Sequence, residues 1–218
     1  MNFNSLKYLI LGIYFIHLML MGHDAETNKP FEKVHAHNTL DAHFHAGWES
    51  RYFSEGRDAL NGKSLWNSSL EIGYDHLSGG VWYGRSSNHQ YDEWQYNLAL
   101  SQEMGGYSFY AGYTHLIFAK DVESDDEWST GISYEGLPFN LITSLDAYYS
   151  MDAKGTFYEW SNTREFNPQE DLDISFSGTF GWNENYITDG HDGLNYFSLR
   201  SGAKKVLFDN FSLAGHGV

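Results

Sequence analysis

The chain has no cysteine in its 218 residues. That excludes a disulfide framework, thiolate catalysis, a cysteine zinc centre and a lipid-anchored N-terminal cysteine. Proline is scarce, with three residues against 22 glycines. Cations are scarce too: 13 Lys and Arg face 29 Asp and Glu, a formal net charge of −16. A chain this acidic lacks the positive surface that phosphate backbones require, so nucleic acid is excluded as a partner. Long apolar runs are also missing. Only Tyr8 to Met21 is mostly apolar, and it falls short of the roughly 20 residues of a helical span. What is abundant is aromatic: 17% of residues, including 16 Tyr and 15 Phe. Many glycines and aromatics with few prolines suit an all-β chain of many strands and tight turns.

Lys7, the short apolar run and the small residues Gly22 and Ala25 read as a secretory signal peptide over 1–25, cut after Gly22 or Ala25. Residues 26–39 are polar and without periodicity, and read as a linker. His35, His37, His43 and His45 crowd into this region. The carboxylate or cysteine partners of a metal site are missing at ligand spacing, so no metal or other cofactor is expected.

The stretch from Leu40 to Gly84 sets the pattern for the rest, 40–218. Leu40, Ala42, Phe44, Ala46, Trp48, Ser50 and Tyr52 alternate with Asp41, His43, His45, Gly47, Glu49 and Arg51. Period-two alternation is a strand with two unlike faces. Similar patterns predict further strands at 65–76, 80–85, 93–101, 107–118, 127–135, 140–151, 155 to about 164, 172–182, about 194–204 and from about 206 onward, eleven in all. Connections alternate between tight turns and longer polar loops, the exception being the short link near Asp152 to Lys154. That is the rhythm of an up-and-down barrel with one short-turn rim and one long-loop rim.

Trp48, Trp66, Trp94, Trp128, Trp160 and Trp182 share the apolar parity and fall near the long-loop rim. Such a ring is the aromatic girdle of a lipid–water boundary. The opposite faces carry Glu49, Glu71, Glu93, Asp146, Glu159 and Asp173, with Arg51 among the few cations beside them. Unpaired carboxylates are costly in a dry core. These residues are therefore expected to line a watered lumen.

The residues Gly47-Trp48-Glu49-Ser50-Arg51-Tyr52, Ser54-Glu55-Gly56-Arg57-Asp58 and Gly80-Val81-Trp82-Tyr83-Gly84 resemble a family of bacterial conserved hypothetical proteins often labelled Gcw_chp. Tyr91 to Leu98 and Gly112-Tyr113-Thr114-His115 extend the similarity. The resemblance implies export and an outer-membrane β-barrel; it carries over no activity and no catalytic residue. Bacterial barrels usually have an even strand count. Either one strand is missing from this count or a twelfth lies beyond Val218, and the second is the expectation.

An enzyme reading fails at His115. The same-face position two residues on is Ile117, so no nucleophile stands beside the imidazole. Asp121, Glu123, Asp125, Asp126 and Glu127 lack the central glycine of a calcium loop and read as a solvated acidic loop, as do Asp189, His191 and Asp192. Ser54 to Asp58 is a candidate loop constriction of the lumen, with an ordinary surface loop as the alternative. The expectation is an all-β, antiparallel, up-and-down transmembrane barrel of about twelve strands in a bacterial outer membrane. Its partners are the lipid bilayer and small polar solutes or cations. It would act as a passive or weakly selective pore, or alternatively as a non-conducting structural or surface-display barrel. A soluble lipocalin-like barrel would need the opposite arrangement, apolar within and polar without.

Overall fold

The computed structural model describes residues 17–20, 40–187, 190–208 and 211–217. Alternating sequence becomes strand almost throughout. β1 (His17–Leu20) is short. The first long strand is β2 (Leu40–Glu49), followed by the two-residue arms β3 (Phe53–Ser54) and β4 (Arg57–Asp58). Then come β5 (Leu65–Tyr74), β6 (Leu77–Ser86), β7 (Asp92–Met104), β8 (Tyr107–Phe118) and β9 (Glu123–Leu137). A one-turn 3-10 helix, Pro138–Asn140, leads to β10 (Leu141–Ser150), β11 (Gly155–Gln169), β12 (Leu172–Glu184), β13 (Gly193–Phe208) and β14 (Phe211–Gly217).

Eleven of these, β2 and β5 to β14, form one antiparallel sheet in which each strand pairs with its neighbours along the chain. The count matches the eleven expected strands. Its two outer members, β2 and β14, run in the same direction. β1 lies between them, parallel to both, with Leu18 opposite Ala46 on one side and Leu213 on the other. Through it the hydrogen-bonded order returns on itself as a closed barrel. β1 belongs to the stretch read as a signal peptide; the rest of that stretch and the linker 26–39 lie outside the described residues.

The turns explain the two rims. β5 and β6 are joined by Asp75–His76, and β7 and β8 by Gly105–Gly106 at φ +60° and +83°. Two successive positive φ values twist a hairpin the way its strands twist, and glycine adopts them at no steric cost. The opposite rim carries the longer segments 50–64 and 185–192.

Burial alternates along the strands with the side-chain period. In β7, Glu93 and Gln95 are buried while Trp94 and Tyr96 are exposed. Leu70, Ile72, Leu98, Leu100, Phe197 and Leu199 also face outward and exposed. The sheet is thus polar within and apolar without, the reverse of a soluble barrel. What apolar core exists sits inside, near the long-loop rim. Tyr52, Leu60, Leu65 and Trp82 form one cluster, and Tyr148, Phe157 and Ile187 the other.

Two expectations need correction here. β2 ends at Glu49, and the chain bends away from the sheet at Ser50 and Arg51. Arg51 is therefore exposed and lies beyond the end of the strand. Tyr52 is not on the outer face either. It turns inward and is buried at 3% exposure. The sequence keeps alternating past the point where the backbone leaves the ladder.

Candidate functional site in the upper lumen

The long-loop end of the lumen is filled by two inward-folded segments. The first is the hairpin β3–β4. Its turn residues Glu55 and Gly56 take φ +45° and +74°. Tyr52 at its base lies roughly parallel to Trp82, ring centroids 6.4 Å apart, and Leu60 and Leu65 pack around the pair. At the tip, Asn195 Nδ2 of β13 donates to the Glu55 carbonyl at 2.6 Å. A Cβ on Gly56 would collide with Tyr196, so only glycine fits beneath that ring. Ser54 to Asp58 thus forms a hairpin tied to β13. Glu55 is held by Arg57 at 3.2 Å.

The second segment joins β12 to β13. Asn183, fully buried, organises it. Its Nδ2 donates to the carbonyls of Ile187 (3.2 Å) and His191 (2.5 Å), and its Oδ1 accepts from Ile187 N (2.8 Å). This folds Ile187 and Tyr186 onto Phe157.

Between these segments lie the inward carboxylates. Glu49, Glu93, Glu127 and Asp146 are 1–3% exposed and Glu159 is 8% exposed. They are not a watered lining. Each accepts from neutral side-chain donors. Glu93 accepts from Tyr91 Oη and from Gln95 Nε2 (2.7 Å). Glu127 accepts from Tyr186 Oη and Glu159 from Tyr196 Oη. Asp146 accepts from Tyr110 Oη (3.0 Å) and Ser144 Oγ (3.2 Å). Glu49 accepts from Asn67 Nδ2 (2.5 Å).

The loop tyrosines feel this field. Burial pushes the Tyr52, Tyr91 and Tyr186 hydroxyls far above the ordinary phenol range. The Glu93 charge adds to the effect at Tyr52 and Tyr91, and the Glu127 charge at Tyr186. All three remain neutral hydroxyls beside carboxylates.

The other expected residues divide. Glu71 faces inward, half-buried, on β5. Asp173 lies far from the long-loop rim, opposite Lys204, and accepts from Asn167 Nδ2 at 2.6 Å. Five of the six girdle tryptophans are exposed and outward, while Trp48 is half-buried against Trp66 at 6.5 Å. The register adds outward tyrosines to the ring: Tyr83 beside Trp94, Tyr113 and Tyr149 beside Trp128, Tyr158 beside Trp182. The seventh tryptophan, Trp82, is inside.

His115 faces outward, and the strand register gives it a partner that spacing along the chain did not. Asp126 lies directly opposite on β9 and contacts His115 Nδ1 at 2.7 Å, while Tyr113 Oη donates to the same carboxylate at 2.5 Å. The acidic loop behaves as a cap. Asp125 accepts from Ser150 Oγ (2.5 Å) and Asp152 N (3.0 Å). Asp192 accepts from Asn185 N at 2.6 Å. His35, His37 and Asp189 lie outside the described residues. Among the described residues no three His, Asp or Glu side chains converge as a metal set. The tyrosine donors were not foreseen; the signal lay in Tyr91 and Glu93 sharing a parity. No family model, no curated protein and no solved structure matches this chain.

Proposed function

We propose that this chain spans a bacterial outer membrane as a β-barrel, and that small polar or cationic solutes pass its acidic lumen only when the hairpin β3–β4 moves aside. The observation that carries the membrane assignment is the outer face. A wide apolar wall ringed by Trp66, Trp94, Trp128, Trp160 and Trp182 matches a lipid boundary. It far exceeds the apolar patches that soluble monomers leave exposed. The resemblance to the Gcw_chp family points the same way. Gating is supported by the Tyr52–Trp82 and Phe157–Ile187 clusters, which fill the upper lumen. The same clusters favour a second reading, a permanently closed structural or surface-display barrel.

Planar-bilayer recording of the wild type and of a variant with 53–62 replaced by a short Gly-Ser link separates the two. The gated reading expects a nearly silent wild type and cation-selective current steps in the variant. Silence from both, each shown to be folded by heat-modifiable gel mobility, would leave the structural barrel standing.

A further inference from the structure

The outer wall carries few cations, and one of them has its charge unmet. Arg85 stands at the long-loop end with Asp92 directly opposite. Lys205, near the short-turn rim, is paired with Asp171 at 2.5 Å. Arg164 shares the outward parity of Trp160 and is exposed, between Leu141 of β10 and Phe176 of β12. Among the described residues it meets no carboxylate.

What surrounds its guanidinium is aromatic. The centre of the Phe166 ring lies 4.3 Å away and that of Phe139 5.8 Å. Phe176 meets Phe166 edge-on at 6.0 Å. Stacking on rings uses the face of a guanidinium and leaves its N–H edge open. That edge carries the donors that match two oxygens of one oxyanion.

Phe139 adds a separate observation. Its φ is +67°, and that of Asn140 is +54°. Asparagine tolerates the left-handed region, whereas a bulky ring there is an outlier. The β9–β10 turn thus holds a strained phenylalanine, 79% exposed, beside the unmet cation. Strain kept at an exposed position directs the question to what the ring meets.

The ligand follows from the set. An oxyanion satisfies the guanidinium, and the apolar surround of Leu141, Phe139, Phe166 and Phe176 fits hydrocarbon beside that anion. A free phosphate supplies only the first; a phospholipid supplies both. The depth agrees. β10 has ten residues, the length of a tilted strand that crosses a bilayer, and Arg164 is opposite its short-turn end.

We propose that Arg164, seated against Phe139 and Phe166, binds the phosphate of an anionic phospholipid in the leaflet at the short-turn rim. The inference rests on the membrane assignment above and is independent of whether the barrel conducts.

The test is native mass spectrometry of the folded full chain, released from detergent micelles containing phosphatidylglycerol. Arg164→Gln should weaken lipid retention by about tenfold or more, the scale of a lost hydrogen bond to a charged group. Phe139→Gly removes the ring and the strain together. It should lower retention severalfold while leaving thermal stability unchanged or raised. Lys205→Gln, whose charge is already met, should leave retention unchanged. Equal retention by the wild type and Arg164→Gln overturns the proposal. So does displacement of the lipid by excess inorganic phosphate, which would assign a free-anion site. Insertion into phosphatidylcholine vesicles, followed by heat-modifiable gel mobility, reads the membrane assignment separately. A chain that inserts but retains lipid equally in both forms loses only the Arg164 seat, and a chain that enters no vesicle overturns both.

Discussion

Tyr52, Tyr91 and Tyr186 carry the closure of the upper lumen residue by residue. Each has its hydroxyl pushed upward, first by burial and then by a neighbouring carboxylate. The sign follows from linkage. Below the ordinary tyrosine pKa of about 10 both folded and unfolded chains hold these protons, and nothing is lost. Above it the unfolded chain releases protons that the folded rim must keep. Stability therefore falls as pH rises beyond about 10, and the rim loosens first. Limited proteolysis of the 53–62 hairpin across an alkaline pH series checks this: cleavage should rise steeply there, and Tyr91→Phe should shift the rise to higher pH. An unchanged onset in Tyr91→Phe would mean its ionisation is not what opens the rim. Tyr52 also marks a limit of sequence reading. Its parity matches the outer face of β2, yet it packs inside against Trp82. Period-two alternation assigns faces only while the backbone stays in the ladder, and residue types at Ser50 and Arg51 do not announce the exit.

At the scale of the strand, the alternation carries most of the information. β7 shows why it was legible. Trp94, Tyr96, Leu98 and Leu100 against Glu93, Gln95 and Asn97 leave one arrangement, and the burial follows it. The girdle was legible for the same reason, since tryptophan parity and strand direction are both local. What escaped was everything set by register between strands: Asp126 opposite His115, Asn67 opposite Gly47, Tyr113 beside Trp128. Register depends on partners many residues away, and alternation alone says nothing of it. A membrane makes a sharp demand on the outer face. Leu98→Arg, in mid-wall, should cost about 2–4 kcal/mol in lipid vesicles, and Met104→Arg near the short-turn rim about 1 kcal/mol or less. Urea or guanidinium titrations of folding into vesicles measure both. Equal costs at the two heights would argue that the wall does not meet a lipid core.

For the whole molecule, the meander and the two kinds of rim were legible from loop lengths. Closure was not. The joining strand β1 has four residues, too few for any alternation to register, and it pairs with strands near both ends of the sheet. The dry upper lumen was also out of reach. Carboxylates such as Glu93 and Glu127 argue for water until the loop tyrosines that cap them are placed, and loop folding has no periodicity to read. The odd number of long strands has one more consequence, and it concerns sidedness. β2 rises from the short-turn rim and so does β14. Leu40 and Gly217 therefore lie at opposite rims, on opposite sides of whatever layer the barrel crosses. Protease sites engineered at those two positions should never be cut from the same side of a sealed vesicle. With the long loops outward, only the site after Gly217 should be open to a protease added to intact cells.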